Sequence, residues 1–451
     1  MLAYRAVRAL LSAGINVFFR DIQYVGLENV PGEGEGPVVF VGNHPNSLID
    51  PVMLVASSGR IVHFAAKDKL FQFPMSIILA ALGAVPIARK MDRKEGAKVD
   101  NSEAFSAMYR VLAEGRAVGI FPEGLSHDAA HLARLRSGAA RVALDAAARH
   151  REVVVRVVPC GLTYMRRKNF RSRVLVQFGE PLVMDEEWID GWNVDNMAAG
   201  TKLTAEIETA IRGLTINTSD WETLRVLDAC RRLYQPKHIE LAARVELSRR
   251  FCEVYETIRD QPEAVALREK MEDYLGRLDA HGLTDRDLVR GLDKRALVLR
   301  SLDNIVQLVV WLPLAIPGAP LHAPLLVGVS WVGLNFAPRK DVIGTSKLLI
   351  GMLAVLSSYI AVPIAVLWFV NVPAAALTAL ALPITGIATL RLLERWTAIR
   401  RLARSAFSAN QLGVELEKLT GLREQLELEV VEAVGRFKPE EMESLFPRDG
   451  M

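Results

Sequence analysis

Three blocks of this chain carry no Lys, Arg, Asp or Glu: Ile305 to Pro317, Ala319 to Pro338 and Leu348 to Leu390. They limit what the chain can fold into more than any other feature. A membrane-spanning helix needs about 20 apolar residues. The third block is long enough for two such helices, with Asn371-Val372-Pro373 as a natural turn, and Pro317-Gly318 separates the first two blocks. As a helix, Ile305 to Ile316 would extend only about 18 Å, short enough for a re-entrant hairpin. The flanking charges are Arg300, Arg339-Lys340 with Lys347, and Arg391 with Arg395. Basic flanks belong on the cytosolic side. The expectation is an integral membrane region of two hairpins over 301–395, with both chain termini cytosolic. The same composition admits a competing reading, a helical core fully buried in a soluble protein.

Upstream the pattern changes. Short apolar runs, 38–41, 61–65, 84–88, 117–121, 153–159 and 174–178, alternate with helical stretches at 51–57, 75–82, 102–114, 134–149 and 198–214. That alternation predicts an α/β domain over 25–215, a largely parallel sheet flanked by helices. Before it, 1–24 reads as an amphipathic helix, lying on a membrane or packed on the domain. Arg5, Arg8 and Arg20 interrupt or close its apolar run, so no cleavable signal peptide is expected. After it, 216–300 reads as a charge-rich α-helical connector without chemistry, and 396–451 as a polar helical tail. The formal charge of +3 is too small to imply nucleic acid. The clusters Arg166-Arg167-Lys168 with Arg171 and Arg173, and Arg400-Arg401 with Arg404, either meet anionic headgroups or form solvated faces. Cys160, Cys230 and Cys252 have neither metal-ligand nor disulfide-framework spacing.

The chemistry-bearing stretch is Asn43-His44-Pro45-Asn46-Ser47-Leu48-Ile49-Asp50, which follows the apolar run Val38-Val39-Phe40-Val41. Open α/β sheets place chemistry at the carboxyl ends of their strands. A histidine there can be a general base held in one tautomer by a carboxylate. Six helical steps of about 100° leave two side chains far from facing. His44 should therefore sit in the turn before a helix, with Asp50 reaching back from its first turn. Taken alone, the pair reads equally as a turn with a capping residue. Three further blocks accompany it: Gly83 to Lys90 (GAVPIARK), Gly119 to Asp128 (GIFPEGLSHD) and Val157 to Tyr164 (VVPCGLTY), each an apolar strand ending in a polar or glycine-containing turn.

In this order and spacing the four blocks resemble the motifs of the glycerolipid (glycerol-phosphate/acylglycerol-phosphate) acyltransferase superfamily, over roughly residues 25 to 182. Two departures stand out. Most members have four residues between the histidine and the aspartate, whereas this chain has five. Most follow Phe-Pro-Glu-Gly with Thr-Arg-Ser, whereas Leu125-Ser126-His127-Asp128 lacks the arginine. Both departures resemble the fungal-type glycerol-3-phosphate/dihydroxyacetone-phosphate acyltransferases, as does Lys340 to Lys347 (KDVIGTSK) between two apolar segments.

The resemblance implies a glycerol-phosphate acyltransferase-like domain of phospholipid biosynthesis. In it an alcohol attacks an acyl thioester directly, with His44 as base and Asp50 as its orienter. No cofactor is called for; acyl-CoA or acyl-carrier protein is the co-substrate, and a phosphorylated glycerol-type molecule the acceptor. A guanidinium grips phosphate with paired donors, and the resemblance carries the phosphate to Arg89, with Lys90 and Lys67 as further cations. It carries the glycerol to Glu123 with Gly124, and Ser126 belongs to the same block. With no arginine after Gly124, Arg134 or Arg136 are the stand-ins. His127 reads as a supporting hydrogen bonder, and His63 and His131 as structural. The rivals are a 1-acylglycerol-3-phosphate acyltransferase using the same residues, and a catalytically silent membrane-binding protein with the same fold.

Overall fold

The structure, a computed structural model, describes residues 2–73, 75–88, 101–236, 239–292 and 294–437. Packing divides the chain into two units. One comprises Met1–Trp221, Glu240–Arg249 and Ala337–Leu348, the other Glu222–Ile239, Arg250–Phe336 and Leu349–Met451.

The first unit is built on an eight-stranded sheet. Its strands are β1 (Phe19–Val25), β2 (Val38–Gly42), β3 (Val62–Lys67), β4 (Val85–Ile87), β5 (Ala117–Ile120), β6 (Arg156–Tyr164), β7 (Ser172–Phe178) and β8 (Leu182–Val183). The order is β1-β7-β6-β2-β5-β3-β4, with β8 paired to β6. Pairing is parallel except where β6 meets β7 and β8. The sheet is thus the expected largely parallel one. Every residue of β2 is buried, as a strand covered on both faces must be, and its unbroken apolar run meets that demand. Helices Ser102–Ala113, Gly138–Arg149 and Asn196–Leu214 supply much of that cover. In the second of these, Ala139, Ala140, Ala143, Ala146 and Ala147 are all buried, and such small side chains let a helix lie close to its neighbours.

Two expected boundaries are corrected. The N-terminal helix spans Leu2–Phe18 rather than 1–24, and Phe19–Val25 forms edge strand β1, parallel to β7. Its face of Tyr4, Leu11, Ile15 and Phe18 is buried, and Tyr4 accepts a hydrogen bond from the Val62 amide at 2.9 Å, so this helix packs on the domain. The helix expected from 134 begins at Gly138. The amides of Ala133 and Arg136 are instead drawn off to Glu123 Oε2 and to the Pro122 carbonyl, at 2.8 Å each.

The second unit is helical. Its apolar part breaks between Lys294–Ala315 and Ala319–Asn335, and between Ile343–Phe369 and Val372–Leu412. Asn371 caps the last of these by accepting from the Ala374 amide at 2.9 Å. Among the described residues three stretches are long and apolar enough to cross a membrane: Val298–Ala315, Lys340–Phe369 and Val372–Arg404. Polar groups among the apolar helices find partners: His322, in Ala319–Asn335, bonds the Gly318 carbonyl and the Tyr359 hydroxyl, which donates to Leu382 O at 3.1 Å. Outside the apolar stretches, Asp285 takes hydrogen bonds from Tyr274 at 2.9 Å and Arg423 at 3.0 Å. The connector does not stay whole, since residues 240–249 pack with the sheet. Leu241 and Val245 pack against Leu175 of β7.

Candidate active site

Register builds the site. β2 lies between β5 and β6, with Val41 opposite Ile120 and Gly42 opposite Cys160. The residues leaving β2 and β5 therefore emerge side by side at one sheet edge. Asn43 ties its turn to β6, accepting from the Leu162 amide at 2.8 Å and donating to the Leu162 carbonyl at 3.0 Å. His44 follows in the turn, and helix Ile49–Ser57 begins with Asp50 in its first turn. Ser47 bridges them with φ 50°, a left-handed conformation that suits short polar residues.

Asp50 is fully buried and its oxygens are committed. Oδ2 lies 2.8 Å from His44 Nδ1 and accepts the Asn46 amide at 2.7 Å, while Oδ1 accepts the Tyr164 hydroxyl at 2.7 Å. Burial, and then the adjacent Asp50, push the Tyr164 hydroxyl well above its ordinary range, so it remains a donor. A buried carboxylate is costly unless satisfied, and these contacts satisfy it. With Nδ1 turned to Asp50, the Nε2 lone pair of His44 is left to take a proton. The ring stacks on Phe121 at 4.3 Å between centroids.

Glu123, 3% exposed, is turned inward. Oε1 accepts the His44 amide at 2.6 Å, while Oε2 takes the Ala133 amide at 2.8 Å and a short hydrogen bond from His127 Nε2. These bonds make Glu123 a group that ties the His44 turn to His127 and Ala133. The Glu123 hydrogen bond raises the pKa of His127. Gly124 has φ 75°, and a Cβ there would lie 2.9 Å from Arg136 Nε, so glycine admits that guanidinium over the turn. Arg134 and Arg136 are both exposed. Ser126 is buried and bonded to Asp341. Lys67 ends β3, one strand beyond β5. Arg89 and Lys90 lie outside the described residues.

Three members of the basic cluster after β6 are tied into the sheet unit. Arg167 donates to the carbonyls of Pro45 and His127 at 3.3 Å each, pairs with Asp128 and stacks over Trp221. Lys168 pairs with Asp128 at 2.8 Å, and Arg171 donates to Val17 O and Phe19 O. Tyr164, Arg167 and Asp341 are partners that sequence reasoning missed. Each left only a trace: Tyr164 as the polar end of an otherwise apolar strand, Arg167 within a basic cluster, and Asp341 within the block Lys340 to Lys347.

Family comparisons agree with this geometry. The model described as Acyltransferase matches residues 21–163, and that described as Glycerol-3-phosphate acyltransferase 2 C-terminal domain matches residues 226–442. The chain is 35% identical over 240 residues to glycerol-3-phosphate O-acyltransferase 2 of Saccharomyces cerevisiae, covering 52% of this chain and 32% of that one. It is 26% identical over 453 residues to glycerol-3-phosphate O-acyltransferase 1 of the same yeast, covering 77% and 59%. An uncharacterized acyltransferase of Schizosaccharomyces pombe is 27% identical over 454 residues, covering 78% and 67%. The chain spans only about a third of the first of these relatives. Sheet motifs and helical region thus point the same way: the chain is similar to the glycerolipid acyltransferases, and within them to the fungal-type glycerol-3-phosphate acyltransferases.

Proposed function

We propose that this chain moves a fatty acyl group from a thioester, acyl-CoA or acyl-carrier protein, to the hydroxyl of glycerol 3-phosphate or dihydroxyacetone phosphate. The observation that carries this reading is the His44–Asp50 pair, 2.8 Å apart at the carboxyl end of β2 with the acid fully buried. His44 Nε2 takes the acceptor's proton as its oxygen attacks the thioester carbonyl. The C–O bond forms, the C–S bond breaks, and the proton passes from His44 to the departing thiolate. Asp50 keeps Nδ1 protonated and offsets the imidazolium charge. Glu123 holds the His44 amide, and Arg89, Lys90 and Lys67 are the cations expected at the acceptor's phosphate. The relatives' names favour glycerol 3-phosphate as acceptor over a 1-acylglycerol 3-phosphate. The apolar helices seat the chain in a lipid bilayer as two hairpins, with the sheet unit and both termini on the cytosolic face.

The test is an assay of purified full-length protein with one labelled acyl thioester and each acceptor in turn. The expected result is faster acylation of glycerol 3-phosphate or dihydroxyacetone phosphate than of 1-acylglycerol 3-phosphate. The reverse preference would make the product phosphatidic acid and overturn this assignment. Transfer to none of the three would leave the silent membrane-binding reading.

A further inference from the structure

We propose that Arg339, far from the sheet in sequence, is the cation that meets the acceptor's phosphate beside the Phe121-Pro122-Glu123-Gly124 turn. The proposal rests on the acceptor being a phosphate monoester, as in the function proposed above. No arginine follows the turn in sequence, because Leu125-Ser126-His127-Asp128 comes next, and Arg136, whose guanidinium lies against Gly124, is the rival cation there. Residues 337–348, flanked in sequence by two apolar helices, pack with the sheet unit. They do so through polar groups that are buried and satisfied. Thr345 Oγ1 donates to the Asn46 carbonyl at 3.0 Å, inside the His44–Asp50 turn, and Lys347 Nζ donates to the Lys168 carbonyl at 2.9 Å. Gly344 lies so close that a Cβ there would sit 2.7 Å from Asn46 Oδ1 and 2.8 Å from the Arg167 carbonyl.

At the head of this segment three side chains close a triangle. Ser126 donates to Asp341 Oδ2 at 2.5 Å, and Arg339 Nη2 donates to Ser126 Oγ at 3.1 Å and to Asp341 Oδ2 at 2.8 Å. The two ends of the ion pair differ in exposure: the Asp341 side chain is 5% exposed and that of Arg339 54%. A buried acid thus aims an exposed guanidinium. Both of its recorded bonds leave from Nη2, so the N–H donors of Nη1 and Nε are left to meet the oxygens of a phosphate. Ser126 adjoins His127, which bonds Glu123, which holds the His44 amide, so the guanidinium is anchored to the framework of the base. Three other neighbouring cations are committed elsewhere: Arg167 to two carbonyls and Asp128, Lys168 to Asp128, and Lys347 to a carbonyl.

The competing explanation is that Arg339 only neutralises Asp341. Steady-state kinetics of the full chain in detergent, with glycerol 3-phosphate, dihydroxyacetone phosphate and 1-acylglycerol 3-phosphate each varied against the acyl thioester, separate the two. Arg339→Ala should raise the KM of the preferred phosphorylated acceptor about tenfold to a hundredfold, as losing hydrogen bonds to a charged group does. The KM of the acyl donor should stay within about twofold, and inhibition by inorganic phosphate should weaken in parallel with the acceptor KM. Ser126→Arg placed in the Arg339→Ala background should recover part of the acceptor affinity by supplying a guanidinium from the turn. Arg339→Lys keeps the charge facing Asp341 and should still raise the acceptor KM, which covers the case in which the alanine variant fails to fold. An unchanged acceptor KM in the folded variants, or equal shifts for donor and acceptor, overturns the proposal while leaving the proposed function standing. A wild type that acylates none of the phosphorylated acceptors overturns the function and this proposal together.

Discussion

Strand β2 and the helix Ile343–Phe369 are both nearly uninterrupted apolar runs, yet they meet opposite surroundings. Val38, Val39, Phe40 and Val41 are each 0% exposed, while Leu353 is 67% and Trp368 and Phe369 84% exposed. The strand sits inside a sheet unit that covers it with its own helices. The helix presents its apolar side chains outward, as do Val372–Leu412 through Leu377 and Leu380. Exposed apolar surface on this scale marks an interaction site or a lipid face. Helices with internally satisfied backbones are the form such a face takes in a bilayer. The comparison teaches that composition alone does not tell a core from a membrane face; what matters is whether the rest of the chain provides cover. Polar side chains follow the same division. In the sheet unit they form a linked set around one turn, Asp50, Glu123 and Ser126, with partners up to 215 residues away. Among the apolar helices His322 and Tyr359 join one helix to another, while Ser358, Thr378 and Thr389 bond carbonyls of their own helix.

The contrast can be broken most completely at the membrane. Full-length protein should pellet with membranes and resist both high salt and carbonate, because salt screens headgroup charges without touching the burial of ~20-residue apolar spans. Release by carbonate, or solubility without detergent, would return the exposed helices to an ordinary interior. Deleting everything after residue 300 is a poor control here, since it also strips residues 337–348 from the sheet unit.

The next effect lies in the sheet unit. His44→Ala should lower acyl transfer about 10²–10⁴-fold while membrane insertion is unchanged. Retention of more than about a tenth of the wild-type rate would exclude His44 as the base. Asp50→Asn, which keeps the shape and removes the charge, should be severely impaired as well, and a near-normal rate would reduce Asp50 to a helix residue.

Gly344→Ala tests whether residues 337–348 belong with the sheet. Its Cβ would meet a backbone carbonyl, which cannot rotate away as a flexible side chain does. Overpacking of this kind costs about 1–3 kcal/mol, and the expected outcome is a lowered melting temperature with reduced transfer. Wild-type stability and rate in this variant would show that the segment is not held against Asn46.

The smallest effect is electrostatic. His127 has a folded-state pKa raised above its ordinary value of about 6.5, first by its hydrogen bond to Glu123. Its stabilising contribution is therefore complete below about pH 6.5 and is lost as pH rises through the raised value. His127→Gln should melt lower than wild type at acidic pH, and the gap should narrow on the alkaline side. A gap that stayed constant with pH would mean that packing, not charge, accounts for the contact.

Much of this molecule is legible along the chain. The strand and helix alternation, the uncharged blocks with their turns at Pro317-Gly318 and Asn371-Val372-Pro373, and the turn geometry linking His44 to Asp50 all follow from patterning within a few residues. Such patterns are readable because side-chain periodicity and backbone sterics act locally. Edge strand β1 was read as helix because the mixed polar and apolar residues of Phe19–Val25 carry little periodicity of their own, and their strand character is set by pairing with β7, about 150 positions later. What only the tertiary structure decided is the set of partners around His44. Tyr164 holds Asp50 across 114 positions, and Glu123 turns inward to the His44 amide 79 positions away. The docking of residues 337–348 onto Ser126 and Asn46 spans more than 200 positions. A hydrogen bond between distant polar side chains leaves no periodic signal in a sequence. Its partners are chosen by which strands lie side by side and by the penalty for leaving a buried charge unpaired.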